Sequence, residues 1–148
     1  ILFINSTNDR YYYLENFTKT AKLAPYGKIR IIKGMKHSHS HGAEPPEIFA
    51  FIGQYTKDGC SLPQINSVER DGNIVKSGFS SATGIKSAQI IFTTDTGLNE
   101  ERVWETEYLS FSRDTLSATI LPDYKAWYLE IIDNNGMGVT TSLYQNQY

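Results

Sequence analysis

The hydrophobic period of this chain changes once, near residue 60, and that change limits the folds open to it. Before it, strand-like and helix-like patterns alternate. Ile1-Leu2-Phe3-Ile4 is an unbroken apolar run, the kind carried by a strand buried on both faces of a parallel sheet. The polar loop Asn5-Ser6-Thr7-Asn8-Asp9-Arg10 follows it. Leu14, Phe17, Ala21 and Ala24 then recur at helical spacing and predict a helix over residues 12–23, stopped by Pro25-Tyr26-Gly27. Ile29, Ile31 and Ile32 mark a second strand over residues 28–33, which feeds a loop over residues 34–42. Pro45 and Pro46 open a second helix, where a missing N–H leaves nothing unpaired. Glu47 suits the positive end of its dipole, and Ile48, Phe51, Ile52 and Tyr55 give it one apolar face before Asp58-Gly59 closes it. Strand–helix–strand–helix is the order of a parallel α/β sheet. A central strand needs neighbours on both sides and few follow here, so the natural protein is expected to continue upstream of Ile1.

After Ser61-Leu62-Pro63 the pattern becomes all-β. Strands are expected over residues 64–70, 73–80, 87–94, 103–108, 116–121, 127–132 and 138–144. Turn residues such as Asp71-Gly72, Asp95-Thr96-Gly97 and Asn134-Asn135-Gly136 separate them. Ten Tyr and seven Phe suit such strands, because aromatic rings fit a half-buried pleated surface. Short strands at this spacing predict an antiparallel sandwich of immunoglobulin-like or fibronectin-like type. The expected division is therefore an α/β portion over residues 1–60 and an all-β accessory sandwich over residues 61–148.

Several function classes are excluded by composition. A net charge of −2 provides no concentrated basic face for nucleic acid. No apolar run approaches the ~20 residues that span a bilayer, and no signal peptide is visible. Cys60 is the lone cysteine, so no internal disulfide and no paired-cysteine metal or redox motif is possible, and the compartment stays open.

The chemistry-bearing residues follow the two early strands. A catalytic triad needs a histidine to take the nucleophile's proton and a carboxylate to fix that histidine's tautomer. In α/β sheets such groups lie on loops past the C-terminal ends of strands. Asp9 follows the first strand in this way and His37 the second. One helix joins the strands, so they should be parallel neighbours with both loops on one edge. The plainer alternative is a turn-forming aspartate and a solvated histidine. His37, His39 and His41 alternate with serines and would share a face if extended, a pattern that could hold zinc or copper. No cysteine or second histidine group completes such a site, and no metal or cofactor is expected. For the base, His37 is preferred as closest to the strand end, with His39 next and His41 last.

The run from Ile1 through Asn5-Ser6-Thr7-Asn8-Asp9, then a helix, then Gly34-Met35-Lys36-His37, resembles the last two strand–loop units of α/β-hydrolases. It looks closest to the branch containing acetyl xylan esterase-like, dienelactone hydrolase-like and prolyl oligopeptidase-like enzymes. The Asn-Ser-Thr-Asn-Asp stretch looks like that family's acid loop, where Gly often replaces Ser6. The second helix looks like the terminal helix after the catalytic histidine. The run Ala126-Trp127-Tyr128-Leu129-Glu130-Ile131-Ile132-Asp133 looks like β-sandwich domains appended to some bacterial hydrolases. The resemblance implies the C-terminal portion of an α/β-hydrolase sheet followed by a sandwich, with Asp9 and His37 as triad acid and base. It also favours a secreted or periplasmic bacterial location.

The nucleophile is missing. No G-x-S-x-G elbow exists; the nearest string, Gly78-Phe79-Ser80-Ser81-Ala82, breaks the pattern at its last position, and Cys60 follows a helix rather than a strand. The expectation is a fragment of a serine hydrolase acting on an ester, with an acetylated carbohydrate as the substrate implied by the family, and inactive by itself. The missing upstream part is its expected partner, with self-association through an uncovered sheet as another outcome. The alternatives are a β-sandwich binding module beside a non-catalytic or truncated hydrolase, and a serine peptidase fragment. Tyr11-Tyr12-Tyr13 would line a pocket or cover the core edge. Trp104 and Trp127 would form a sugar platform, or else Trp127 is core and Trp104 partly exposed. Glu100, Glu101, Glu105 and Glu107 are most simply a solvated face.

Overall fold

The computed structural model describes residues 1–57 and 59–146. Strand β1 (Leu2–Ser6) and strand β2 (Lys28–Ile32) pair in parallel, with Leu2 beside Lys28 and Ser6 beside Ile32. Helix α1 (Leu14–Lys22) makes the crossover. Its Leu14, Thr18 and Ala21 are buried, and the Thr18 hydroxyl donates back to the Leu14 carbonyl, which spares a buried hydroxyl from going unpaired. Glu15 in the first turn and Lys19 and Lys22 in the last oppose the helix dipole. The loop after β2 contains a five-residue helix, α2 (His39–Ala43), capped by Ser38. Helix α3 (Pro46–Thr56) follows. Asp58, expected to help end it, lies outside the described residues; the Gly59 N–H donates to the Gly53 carbonyl.

The remaining strands are β3 (Gln64–Ile65), β4 (Glu69–Asp71), β5 (Ile74–Ser80), β6 (Ile85–Thr93), β7 (Glu105–Leu109), β8 (Phe111–Ser112), β9 (Thr115–Thr119), β10 (Ala126–Asp133), β11 (Gly138–Thr140) and β12 (Tyr144–Gln145), with a 3-10 turn at Asn99–Glu101. They build two sheets. One runs β1-β2-β11-β10-β6-β7, with β12 also on β10; the other runs β3-β5-β9-β8, with β4 on β5. The sheets pack face to face. Val75, Phe79, Leu116 and Ala118 of the second meet Ile90, Phe92, Trp127, Leu129 and Ile131 of the first. A second core lies against α1, where Leu14 and Ile31 meet Ile91, Trp104, Ala126, Tyr128 and Leu143. Strand β10 is therefore covered on both faces, which is why its sequence is a near-continuous apolar run.

The fold class expected from sequence is corrected here. An α/β-hydrolase sheet portion followed by an immunoglobulin-like or fibronectin-like sandwich is not what forms. The chain is mostly β, in two sheets, and the parallel pair β1–β2 is the end of the first sheet. Thr140 of β11 pairs antiparallel with Ile29 of β2, so that sheet crosses the residue-60 boundary. The physical reason is edge pairing. An apolar strand such as β2 leaves a row of unpaired amides on its second side, and β11 fills it. Strand β1 has a neighbour on one side only among the described residues.

A buried ionic cluster fastens this join. Arg30 of β2 donates through Nε to Glu47 of α3 at 2.9 Å and through Nη1 to Glu130 of β10. Gln89 of β6 donates to the other Glu130 oxygen, and the Gly138 N–H donates to Glu47 at 2.9 Å. A Cβ on Gly138 would sit 2.6 Å from the Arg30 Cζ, so close approach rather than backbone conformation requires glycine there.

Candidate functional site

The loops that trail β1 and β2 are tied to one another before they reach the site. The Thr7 N–H donates to the Ile32 carbonyl at 3.2 Å, and the Gly34 N–H to the Thr7 hydroxyl at 2.9 Å. From this joint one loop delivers Asp9 and the other delivers His37. The Asp9 Oδ2 lies 2.7 Å from the His37 Nδ1. The other oxygen, Oδ1, accepts the backbone N–H groups of Tyr11 at 2.8 Å and Tyr12 at 2.9 Å. Three of the carboxylate's four acceptor positions are thereby filled. An ionised carboxylate only accepts, so Nδ1 carries the proton and the histidine presents Nε2 outward.

Burial separates the two partners. Asp9 is 5% exposed, whereas the His37 side chain is 42% exposed. Burial pushes the Asp9 carboxyl upward, but the His37 hydrogen bond, the Tyr12 and Tyr11 amides and the His37 charge outweigh it and hold it below its ordinary range. A buried carboxyl held below its ordinary range, hydrogen-bonded to a half-open imidazole, is the arrangement of an acid–histidine pair. The Tyr12 ring stacks on His37 at 6.0 Å and 20°, and the Tyr11 ring lies 4.8 Å away. The same two residues thus fix the acid through their backbone and flank the base with their rings.

His37 opens onto a groove of about 1070 Å³, lined among others by Tyr11, Tyr12, Tyr13, Phe17, Met35 and Lys36. The three tyrosines are exposed along this groove, rather than covering a core edge. No described residue bonds the His37 Nε2, and no described serine, threonine or cysteine stands beside it in the hydrogen-bond network.

The other candidates separate cleanly. His39 lines the groove without meeting Asp9. The His41 Nδ1 lies 2.6 Å from the Ser38 hydroxyl, inside the cap of α2. Among the described residues, no group of three histidine, cysteine or acidic side chains could hold a metal. Gly78, Phe79 and Ser80 lie in β5 of the second sheet, and Cys60 is exposed. Trp127 is core, and Trp104, expected to be partly exposed, is only 6% exposed because its ring packs on Tyr128 beneath α1. Glu100, Glu101, Glu105 and Glu107 are exposed.

Sequence reasoning missed the support that comes from far along the chain. The Asn8 side-chain amide donates to the Arg102 carbonyl at 2.8 Å, and the Asn99 side-chain amide donates to the Asp9 carbonyl at 2.8 Å. Both contacts span about ninety residues, and no local pattern marks them. No protein-family model and no curated protein matches the chain.

Proposed function

We propose that this chain supplies the acid and the base of a serine hydrolase acting on carboxylic esters, with the nucleophile contributed by polypeptide outside these residues. The observation that carries the reading is the 2.7 Å contact between the Asp9 Oδ2 and the His37 Nδ1, with Nε2 free above an aromatic-lined groove. In the reaction, His37 takes the proton of the attacking hydroxyl through Nε2 and returns it to the leaving alcohol. Asp9 stays ionised, holds the tautomer and stabilises the imidazolium. The groove holds the acyl or alcohol portion against Tyr11, Tyr12 and Tyr13. Both tryptophans being buried, a tryptophan-based sugar platform on the β-rich half has no ring to offer.

The test is ester hydrolysis by a longer protein that contains the chain, beside labelling with a fluorophosphonate that marks histidine-activated serines. His37→Ala should lower turnover by roughly 10⁶-fold, and Asp9→Asn by roughly 10⁴-fold, with labelling lost in step. The chain alone should be inert. Turnover indifferent to His37→Ala would sink the reading.

A further inference from the structure

The Asp9 loop is held by residues about ninety positions further along the chain. Asn99, 1% exposed, opens the 3-10 turn between β6 and β7, and its side-chain amide donates to the Asp9 carbonyl at 2.8 Å. The neighbouring Asn8 reaches the same turn, donating to the Arg102 carbonyl at 2.8 Å with the Asn99 carbonyl at 3.3 Å. The turn is itself anchored. Arg102 donates to Glu15 of α1 at 3.1 Å and to the Gly97 carbonyl at 3.0 Å, and the Val103 N–H donates to Asp95 at 2.6 Å. Trp104 then plunges into the core against α1.

Among the described residues the buried Asn99 Oδ1 has no hydrogen-bond partner, and the Asp9 carbonyl is the one polar contact of its side chain. An orphaned buried carbonyl is a cost to folding, and an apolar residue would avoid it only by leaving the Asp9 carbonyl without its donor. The gain that offsets this cost lies in the other half of the amide, at Asp9.

We propose that Asn99 is a positioning residue for the Asp9–His37 pair, so that the β-rich half sets the aim of the acid. The proposal rests on the reading of that pair as the acid and base of a hydrolase. Asn99 never touches the reacting atoms. It fixes the Asp9 backbone, and the Asp9 Oδ2 then meets the His37 Nδ1 at charge-assisted hydrogen-bond distance. A shift of about 1 Å in such a constellation lowers turnover by roughly 100-fold.

The experiment follows the His37 Nδ1 proton by NMR at low temperature in the full chain with labelled histidine. That proton is deshielded when held by a carboxylate. In Asn99→Leu, which removes the donor and keeps the volume apolar, the signal should be lost or move upfield while far-UV circular dichroism is retained. Asn99→Ser, which keeps a hydroxyl but loses the reach, should do the same and serves if the leucine variant does not fold. In the longer protein, kcat should fall by roughly 100-fold with KM unchanged. An unaltered proton in a folded Asn99 variant overturns the proposal and leaves the hydrolase reading standing. A lost proton, together with hydrolysis indifferent to His37→Ala, overturns the hydrolase reading and leaves the clamp. A chain with no deshielded proton before any substitution overturns both.

Discussion

Two places in this protein set carboxylates against a nitrogen cation or base, and they are built on opposite plans. At Asp9–His37 the acid is buried, the base is half open, and one ring nitrogen has no described partner. At Arg30, two carboxylates from different elements share one guanidinium, and Gln89 and the Gly138 amide take up further oxygen positions. The first pair lies on loops past strand ends and the second spans the sheet beneath α3. A base with a free nitrogen over a groove can exchange protons with a ligand. A guanidinium closed in between two acids has no acceptor atom with which to do so. The difference teaches that the location of unspent hydrogen-bonding capacity, rather than the presence of charge, separates a candidate site from a joint.

The largest expected effect breaks the joint. Arg30→Met leaves Glu47 and Glu130 buried without their cation, and should lower unfolding free energy by about 3–5 kcal/mol in urea titration. His37→Ala removes a half-exposed hydrogen-bond donor whose place water can take, and should cost no more than about 1 kcal/mol. Equal losses for the two substitutions would dissolve the distinction between joint and site.

A gentler perturbation of the joint is Gly138→Ala. The added Cβ falls 2.6 Å from the Arg30 Cζ and 2.9 Å from its Nε, so the guanidinium must leave the line between its two acids. Overpacking of this kind costs about 1–3 kcal/mol, which thermal unfolding would register. The Asp9–His37 contact should be untouched, and a change in its NMR signature would show that the two regions are coupled through β2.

The contrast also explains what could be read from sequence. Asp9 and His37 were legible because each closes a short loop after a local apolar run, and the helix between them fixes the strands as parallel neighbours. The positions of α1, α3 and β10 followed from periods of 3.6 and from an apolar run. The pairing of β2 with β11 did not follow, since Ile29 and Thr140 are brought together by the fold alone. For the same reason Arg30 appeared as one charged residue inside a strand, and its acids lie 17 and 100 positions away. Trp104 sat between exposed charges in the sequence, yet α1 covers it. Periodicity reports which face of an element is apolar and not which element will cover it.

The smallest effect sharpens the comparison by sign. Asp9 is held below its ordinary value of 3.8, so the unfolded chain binds more protons as pH drops. Its contribution is complete above 3.8 and is lost as pH falls through the lower folded value. Glu130 behaves oppositely. Burial pushes its carboxyl above the ordinary 4.5, and the attraction of Arg30 does not cancel that push. The folded chain then keeps a proton that the unfolded chain has released, so stability falls as pH rises from 4.5 through the folded value. Each slope is at most about 1.4 kcal/mol per pH unit. Urea midpoints from about pH 3 to about pH 7 should show Asp9→Asn flattening the acid limb and Glu130→Gln flattening the limb above 4.5. A Glu130→Gln chain that keeps the upper slope would mean that Arg30, already shared with Glu47, neutralises Glu130 in full. The joint would then differ from the site only in its access to water, and the free nitrogen of His37 would carry the whole distinction.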